Sequence, residues 1–292
     1  MTTTTRAPAV PWTDLGVFLA LAFGLTWLVW TPALLGAEIP AQVLITLSMA
    51  CVALATWVTL RWRVRPDSVR AATALRPPAA RWLWPALLLL PVTNLAALAL
   101  GALAGTYEAD LTGFSGLRAT FAPNTLGATG IPWDLIGTAL GTSLLLLVVW
   151  LPMMWCEEWG WRGFLLPRLL PLGTWPALLA SGVVWGLWHL PIYVLGGRDF
   201  AQLVPFLVFT VLLGVLVGWL RLASGSVWPC VLAHGVNNTV VTATNAVFPS
   251  AEALRDPEAL NQLGFLGWPG WLALTAVIVL VFATGRSRTG YR

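Results

Sequence analysis

The chain has 292 residues, 58% of them hydrophobic and 10% charged, with a formal net charge of +4. Soluble domains carry roughly 25% charged residues, so a soluble domain is excluded and an integral membrane protein is required. The apolar runs are long and continuous rather than alternating, which excludes a β-barrel and leaves an all-α membrane protein.

All 16 basic residues are arginine. A nucleic-acid ligand would need a dense basic face, and only the stretch Arg61–Arg81 is basic at all, so no nucleic acid is expected as a partner. Cys51, Cys156 and Cys230 are odd in number and each lies in an apolar run, which argues against a disulfide framework. Cys156 borders Glu157 and reads as a small packing residue. Many of the 19 tryptophans stand near the ends of apolar runs, where interfacial anchors belong.

In chain order, residues 1–14 read as a polar tail without the small-residue cleavage site of a signal peptide. Residues 15–284 form a single transmembrane domain, and 285–292 a basic tail. Within the domain, hydropathy predicts about eight spans: Leu15–Leu35, Ala41–Leu60, Trp82–Leu103, Ile136 to the Glu157 stretch, Trp175–Leu195, Leu203–Leu220, Val227–Val247 and Trp268–Ala283. The positive-inside rule then places both termini in the cytoplasm. Arg6, Arg61–Arg81, Arg168, Arg221, Arg286, Arg288 and Arg292 fall on that side. Glu38, Glu108, Asp110, Arg118, Arg198, Asp199 and the acidic 252–258 loop fall outside.

The chemistry is concentrated in Trp155-Cys156-Glu157-Glu158-Trp159-Gly160-Trp161-Arg162. Charges at membrane depth are costly and read as functional by default. Neighbouring helical residues point about 100° apart, whereas residues four apart share a face. Glu158 is therefore expected to pair with Arg162 as a structural ion pair. Glu157, with Met154 and Trp161 beside it, is left to face a cavity as a free carboxylate, the placement a general base needs. The plain alternative is that both acids are solvated at the headgroup boundary. The two histidines weigh against that, since His189 and His234 both fall inside predicted spans. Trp185 precedes His189 by one turn and can wall the site, and Pro191 can bend the helix just after it. Asn238 follows His234 by one turn, so an imidazole and a carboxamide can both donate to one oxygen, as an oxyanion hole requires. Asn237 is a weaker candidate, and interhelical hydrogen bonding is the alternative use of this pair.

The ordered set Glu157-Glu158-x-x-x-Arg162, Trp185-x-x-x-His189 and His234-x-x-x-Asn238 resembles the CPBP or Abi family. These are intramembrane proteases that include the CAAX prenyl endopeptidases and bacterial relatives linked to bacteriocin processing or self-immunity. The resemblance covers about residues 130–250 and departs at Trp185, where the family more often has Phe. It implies an intramembrane endopeptidase that hydrolyses a peptide bond of a membrane-embedded or lipid-anchored substrate, prenylated CAAX-like or bacteriocin-like. It also implies a multi-pass protein of a bacterial plasma membrane. Glu157 and His189 would activate a water, His234 and Asn238 would stabilise the oxyanion, and Glu158 and Arg162 would hold the local structure.

The metal stays open at this stage. Glu157, His189 and His234 could supply three ligands to a catalytic zinc with an open position, although no His-Glu-x-x-His motif is present. A metal-free glutamate mechanism fits the same residues. Two other classes use the same cavity. One is a non-proteolytic membrane binding or immunity protein, and the other a transporter in which Glu157 and His189 relay protons. The lack of an inverted repeat weighs against the transporter. At ~1.5 Å per residue, Glu157 and His234 lie ~15 Å in from their span ends, but His189 lies ~25 Å from Leu172. The fifth helix must therefore start late, near Trp175, or Pro171–Thr174 must dip into the membrane.

Overall fold

The computed structural model describes residues 9–195 and 202–285, and within them one helix follows each of the eight apolar runs. The first three are α1 (Trp12–Leu34), α2 (Ala41–Val58), prolonged by a π turn over Thr59–Val64, and α3 (Leu83–Ala104). Then come α4 (Trp133–Glu158), α5 (Thr174–Trp188) and α6 (Leu203–Ser224). The last two are α7, which is Trp228–Val236 with a π turn over Asn237–Val241 and one more turn over Thr242–Thr244, and α8 (Trp268–Gly285). Among the described residues no β-strand forms, only a single antiparallel bridge between Ala109 and Pro249. The charges expected at Arg6, Arg198, Asp199, Arg286, Arg288 and Arg292 lie outside the described residues.

Six of these helices are long and apolar enough to cross a membrane, and the chain is a multi-pass integral membrane protein. The two shorter ones are α7 and α8. Most of Pro229–Val236 in α7 is buried against other helices, so protein rather than lipid surrounds its polar side chains. The opposite regime holds in α4, where Leu140, Leu144, Leu145, Val148 and Val149 are exposed and suit contact with lipid tails.

The helix that carries the acid pair is continuous with α4 and runs from Trp133 to Leu172, 40 residues in all. A straight helix of that length would measure ~60 Å, twice a hydrocarbon core of ~30 Å. A π turn over Trp159–Leu165 interrupts it directly after Glu158. The whole turn is buried: Trp161 packs edge-on against Phe18 of α1 at 5.6 Å between centroids, and Gly160 lets Val52 and Thr56 of α2 approach the backbone. Small residues likewise bring α5 against α6. A Cβ on Gly182 would stand 2.9 Å from the Val211 Cα, and one on Gly214 would stand 2.9 Å from the Gly182 Cα. Close backbone approach of this kind is how apolar helices associate when lipid offers no hydrophobic gradient.

The connections are more ordered than polar loops need be. After α2, Ser68 caps the short helix Val69–Ala72, and Thr73 and Ala74 then turn inward and are buried. The Thr73 hydroxyl accepts the Trp159 indole N–H at 3.0 Å, and the Ala74 carbonyl accepts Val227 N–H at 3.1 Å. The arginine-rich connection is thereby tied under the end of the acid-pair helix. At the other end of the bundle the 105–130 and 245–267 connections pair, with Asp110 N–H on Phe248 O and Ser250 N–H on Glu108 O.

Candidate active site

The acid pair sits at the α-to-π junction of α4. Glu157 is 1% exposed, and Glu158 and Arg162 are fully buried. The expected ion pair forms, with Arg162 Nη1 at 2.9 Å from Glu158 Oε1. Arg162 has a second use: its guanidinium lies 4.3 Å from the centre of the Trp185 ring, a cation–π contact worth most where water is excluded.

Glu157 differs from the expectation of a free carboxylate facing a cavity. Its Oε2 accepts the Trp185 indole N–H at 2.8 Å, and the residue is closed off by its neighbours. The physical reason is the close packing of α5, which brings a tryptophan edge to a position where phenylalanine would offer no donor. Trp185 thus does more than wall the site. Its ring also meets both histidines edge-on, His189 at 5.7 Å and His234 at 5.2 Å between centroids.

His189 falls at the break expected near Pro191. The α5 helix starts at Thr174 and ends at Trp188, and a separate short helix, Leu190–Leu195, follows. The helix starts at Thr174, as the late-start expectation has it, and Leu170–Leu172 before it forms a 3₁₀ turn that ends the preceding helix. The His189 Nδ1 lies 2.8 Å from the Trp185 carbonyl. A carbonyl only accepts, so Nδ1 carries the proton and Nε2 is the lone-pair nitrogen of the neutral ring. Phe206 of α6 covers another edge of this imidazole at 5.1 Å.

His234 departs from its expected company. Its Nδ1 lies 2.9 Å from Glu158 Oε1, the oxygen that Arg162 also holds. Glu158 is therefore shared between two basic groups rather than paired with arginine alone. One turn further along α7, Asn238 Nδ2 reaches the Met154 sulfur at 3.5 Å, and Met154 is one turn before Glu158 on α4. His234 and Asn238 thus face the same side of α4 in antiparallel register, as their spacing implied. The carboxamide of Asn238 is exposed, and Asn237 Nδ2 donates to its Oδ1 at 3.0 Å. Gly235 permits the approach: a Cβ there would stand 2.5 Å from a Leu147 methyl.

Sequence reasoning missed three parts of this arrangement: the Trp185 bond to Glu157, the His234 bond to Glu158, and the two π turns. Of these only the π turn after Glu158 left a trace, in the closely spaced Gly160 and Gly163. Single π turns inside α-helices occur frequently at functional sites, because the extra residue re-aims the side chains beside it.

Among the described residues no three His, Cys, Asp or Glu side chains stand together as a group that could hold an ion. Glu157, His189 and His234 do not form such a group in this arrangement, where Glu157 Oε2 accepts from Trp185 and His234 Nδ1 faces Glu158.

Residues 139–240 match the family described as type II CAAX prenyl endopeptidase Rce1-like, consistent with a CPBP family intramembrane protease. The matched segment runs from α4 into the π turn of α7 and contains every candidate site residue. The match supports intramembrane protease activity and implies a membrane-associated peptide substrate. No curated protein matches the chain.

Proposed function

We propose that the protein is an intramembrane endopeptidase that hydrolyses a peptide bond of a lipid-anchored or membrane-embedded substrate with a water activated by Glu157. One observation carries the reading: within a family-matched segment, Glu157, Glu158, Arg162, Trp185 and His234 form one buried polar cluster in an otherwise apolar bundle.

Each residue has a role that its contacts favour. Trp185 engages Oε2 of Glu157, so Oε1 is the oxygen that takes a proton from the attacking water. His189, with its Nδ1 proton held by the Trp185 carbonyl, presents Nε2 as an acceptor that orients the same water. The water oxygen adds to the scissile carbonyl, whose π electrons move onto oxygen. Asn238 and His234 donate to that oxyanion. His234 spends its Nδ1 proton on Glu158, so it donates from Nε2 as an imidazolium, and the Glu158 carboxylate is the counter-ion that state requires. Collapse of the intermediate expels the amine, which takes the proton from Glu157.

The test is cleavage of labelled peptides by the purified protein in detergent or vesicles, with a prenylated CAAX peptide and its unprenylated twin as substrates. Glu157→Gln and His234→Ala are expected to lower kcat by at least ~10²-fold, the scale of a lost general base or oxyanion donor. Cleavage that survives unchanged in both variants overturns the reading. A preference for the prenylated twin identifies the anchor as part of the substrate.

A further inference from the structure

The π turn that carries Asn238 is held on both sides by buried side chains. On its N-terminal side, His234 is fixed to Glu158 of α4 at 2.9 Å. On its C-terminal side the partner is Asn94 of α3, a helix that packs along α7 and lies outside the family-matched segment. Asn94 is fully buried in an apolar helix, where an amide is costly unless it is hydrogen-bonded.

The bonds of Asn94 converge on the end of that turn. Its Nδ2 donates to Asn245 Oδ1 at 2.9 Å and to Thr244 Oγ1 at 3.0 Å, with the Val241 carbonyl behind them at 3.5 Å. The Thr244 hydroxyl passes the bond on and donates to Val241 O at 2.7 Å. Val241 is the last residue of the π turn, so a chain of two hydrogen bonds ties α3 to it. Gly264 makes room for both amides. It has φ +54°, and a Cβ there would stand 2.6 Å from Asn245 Oδ1 and 2.8 Å from Asn94 Oδ1. The Asn94 Oδ1 has no hydrogen-bond partner among the described residues, so the Nδ2 bonds alone offset the burial of this amide.

A π turn winds less per residue than an α-helix, in which residues four apart are offset by about 40°. The turn over Asn237–Val241 therefore brings Asn238 closer into line with His234, as two donors to one oxygen must be. Left free, the extra residue of such a turn is expelled when one flanking segment rotates. Neither flank can rotate here, because Glu158 holds His234 and Asn94 holds Thr244 and Asn245. We propose that Asn94 is a positioning residue of the site, which traps the π turn of α7 and so aims Asn238; this rests on the reading of Asn238 as an oxyanion donor.

The test uses the full chain in detergent and the labelled prenylated CAAX peptide. Asn94→Ala and the near-isosteric Asn94→Leu, which keeps the packing volume and removes the donor, are made alone and with Asn238→Ala. Each single variant is expected to lower kcat about 10-fold, since a small misplacement of a catalytic group is enough for that. KM should stay within ~2-fold, because an oxyanion donor acts in the transition state. In the Asn238→Ala background neither Asn94 change should lower kcat further, whereas a merely structural defect would multiply with it. Hydrogen exchange should quicken over residues 237–245 and stay at the wild-type rate in α5 and α6. Losses that multiply in the double variants, exchange that quickens equally throughout the bundle, or unchanged exchange over 237–245 in both Asn94 variants overturns the proposal. A Glu157→Gln protein that cleaves like wild type is a failure of the catalytic reading alone, and exchange over 237–245 then decides whether Asn94 holds the turn.

Discussion

His234 holds Glu158, not Glu157: its Nδ1 stands 2.9 Å from the Glu158 oxygen that Arg162 grips from the other side. The second carboxylate of the pair is thus the anchor of a buried polar cluster that orients the His234 imidazole. Glu158→Gln keeps the shape and removes the charge, leaving Arg162 and His234 without an anion. Removing one partner of a buried pair costs about 3–5 kcal/mol, so the unfolding midpoint should fall clearly. Turnover of the folded fraction should fall at least ~10-fold with KM little changed, because Glu158 is fully buried and acts through His234. A Glu158→Gln protein that unfolds and turns over like wild type would remove this residue from the mechanism.

Trp185 separates two contributions. Its indole N–H bonds Glu157, and its ring supports Arg162 and both histidines. Trp185→Phe keeps most of the ring and loses the donor. Since the resembled family more often has Phe here, activity should stay within ~10-fold of wild type, the scale of one hydrogen bond to a charged group. Trp185→Ala also removes the ring and should cost about 3–5 kcal/mol of stability. Thermal unfolding and kcat, measured on both variants, tell the two apart. Equal losses in both would mean that the N–H alone matters.

What could be read from the sequence follows the range of the interaction. Eight apolar runs stand out because hydropathy accumulates over a whole span, and Glu158–Arg162 because residues four apart share a helix face. The bond from His234 to Glu158 joins residues 76 apart and depends on the register of α7 against α4, which no local pattern encodes. The same holds for Trp185 and Glu157, 28 apart. The inward turn at Thr73 and Ala74 was hidden for a different reason. Arginines flank it and mark the whole connection as solvated, while its burial goes with two long-range bonds, from the Trp159 indole to the Thr73 hydroxyl and from Val227 N–H to the Ala74 carbonyl.

Packing of α5 on α6 positions Trp185, and it rests on glycine. A Cβ at Gly182 would stand 2.9 Å from the Val211 Cα and 3.1 Å from its carbonyl, both backbone atoms that cannot rotate away. Gly182→Ala should therefore destabilise by about 1–3 kcal/mol, the cost of overpacking. Gly137 in α4 has nothing within 4 Å of its would-be Cβ, and Gly137→Ala should be neutral or slightly stabilising. Unfolding of both variants in one detergent checks the contrast. Equal midpoints would mean that the helices do not meet at Gly182.

The 105–130 connection has its own acid dependence. The Ser115 side chain, the Gly113 and Ser115 backbone N–H groups and the Thr112 hydroxyl hold the Asp110 carboxyl well below the usual carboxylate range. A depressed folded value gives a contribution that is fully present above the unfolded pKa of about 3.9 and is lost as pH falls below it. Hydrogen-exchange protection at Gly113 and Ser115 should hold from neutral pH to about 4 and decline below that. Asp110→Asn should abolish the decline by lowering protection at every pH. Protection that already fades between pH 7 and 5 would contradict the assignment.

Asn238 carries the sharpest prediction because its carboxamide is exposed and weakly held. Among the described residues its Nδ2 has only the Met154 sulfur at 3.5 Å, so little must be given up when it turns to an oxyanion beside His234. Asn238→Ala should therefore change stability by less than ~0.5 kcal/mol, as exposed substitutions do. If it completes an oxyanion hole, kcat should nonetheless drop ~10²–10³-fold. Asn237 donates to the Asn238 carbonyl oxygen at 3.0 Å and acts through it, so Asn237→Ala should lower kcat by less than ~10-fold, the worth of one neutral hydrogen bond. Measured kcat and unfolding for the two variants decide the order. A larger loss in Asn237→Ala than in Asn238→Ala would transfer the oxyanion role to Asn237 and set aside the register of α7 on α4 as its basis.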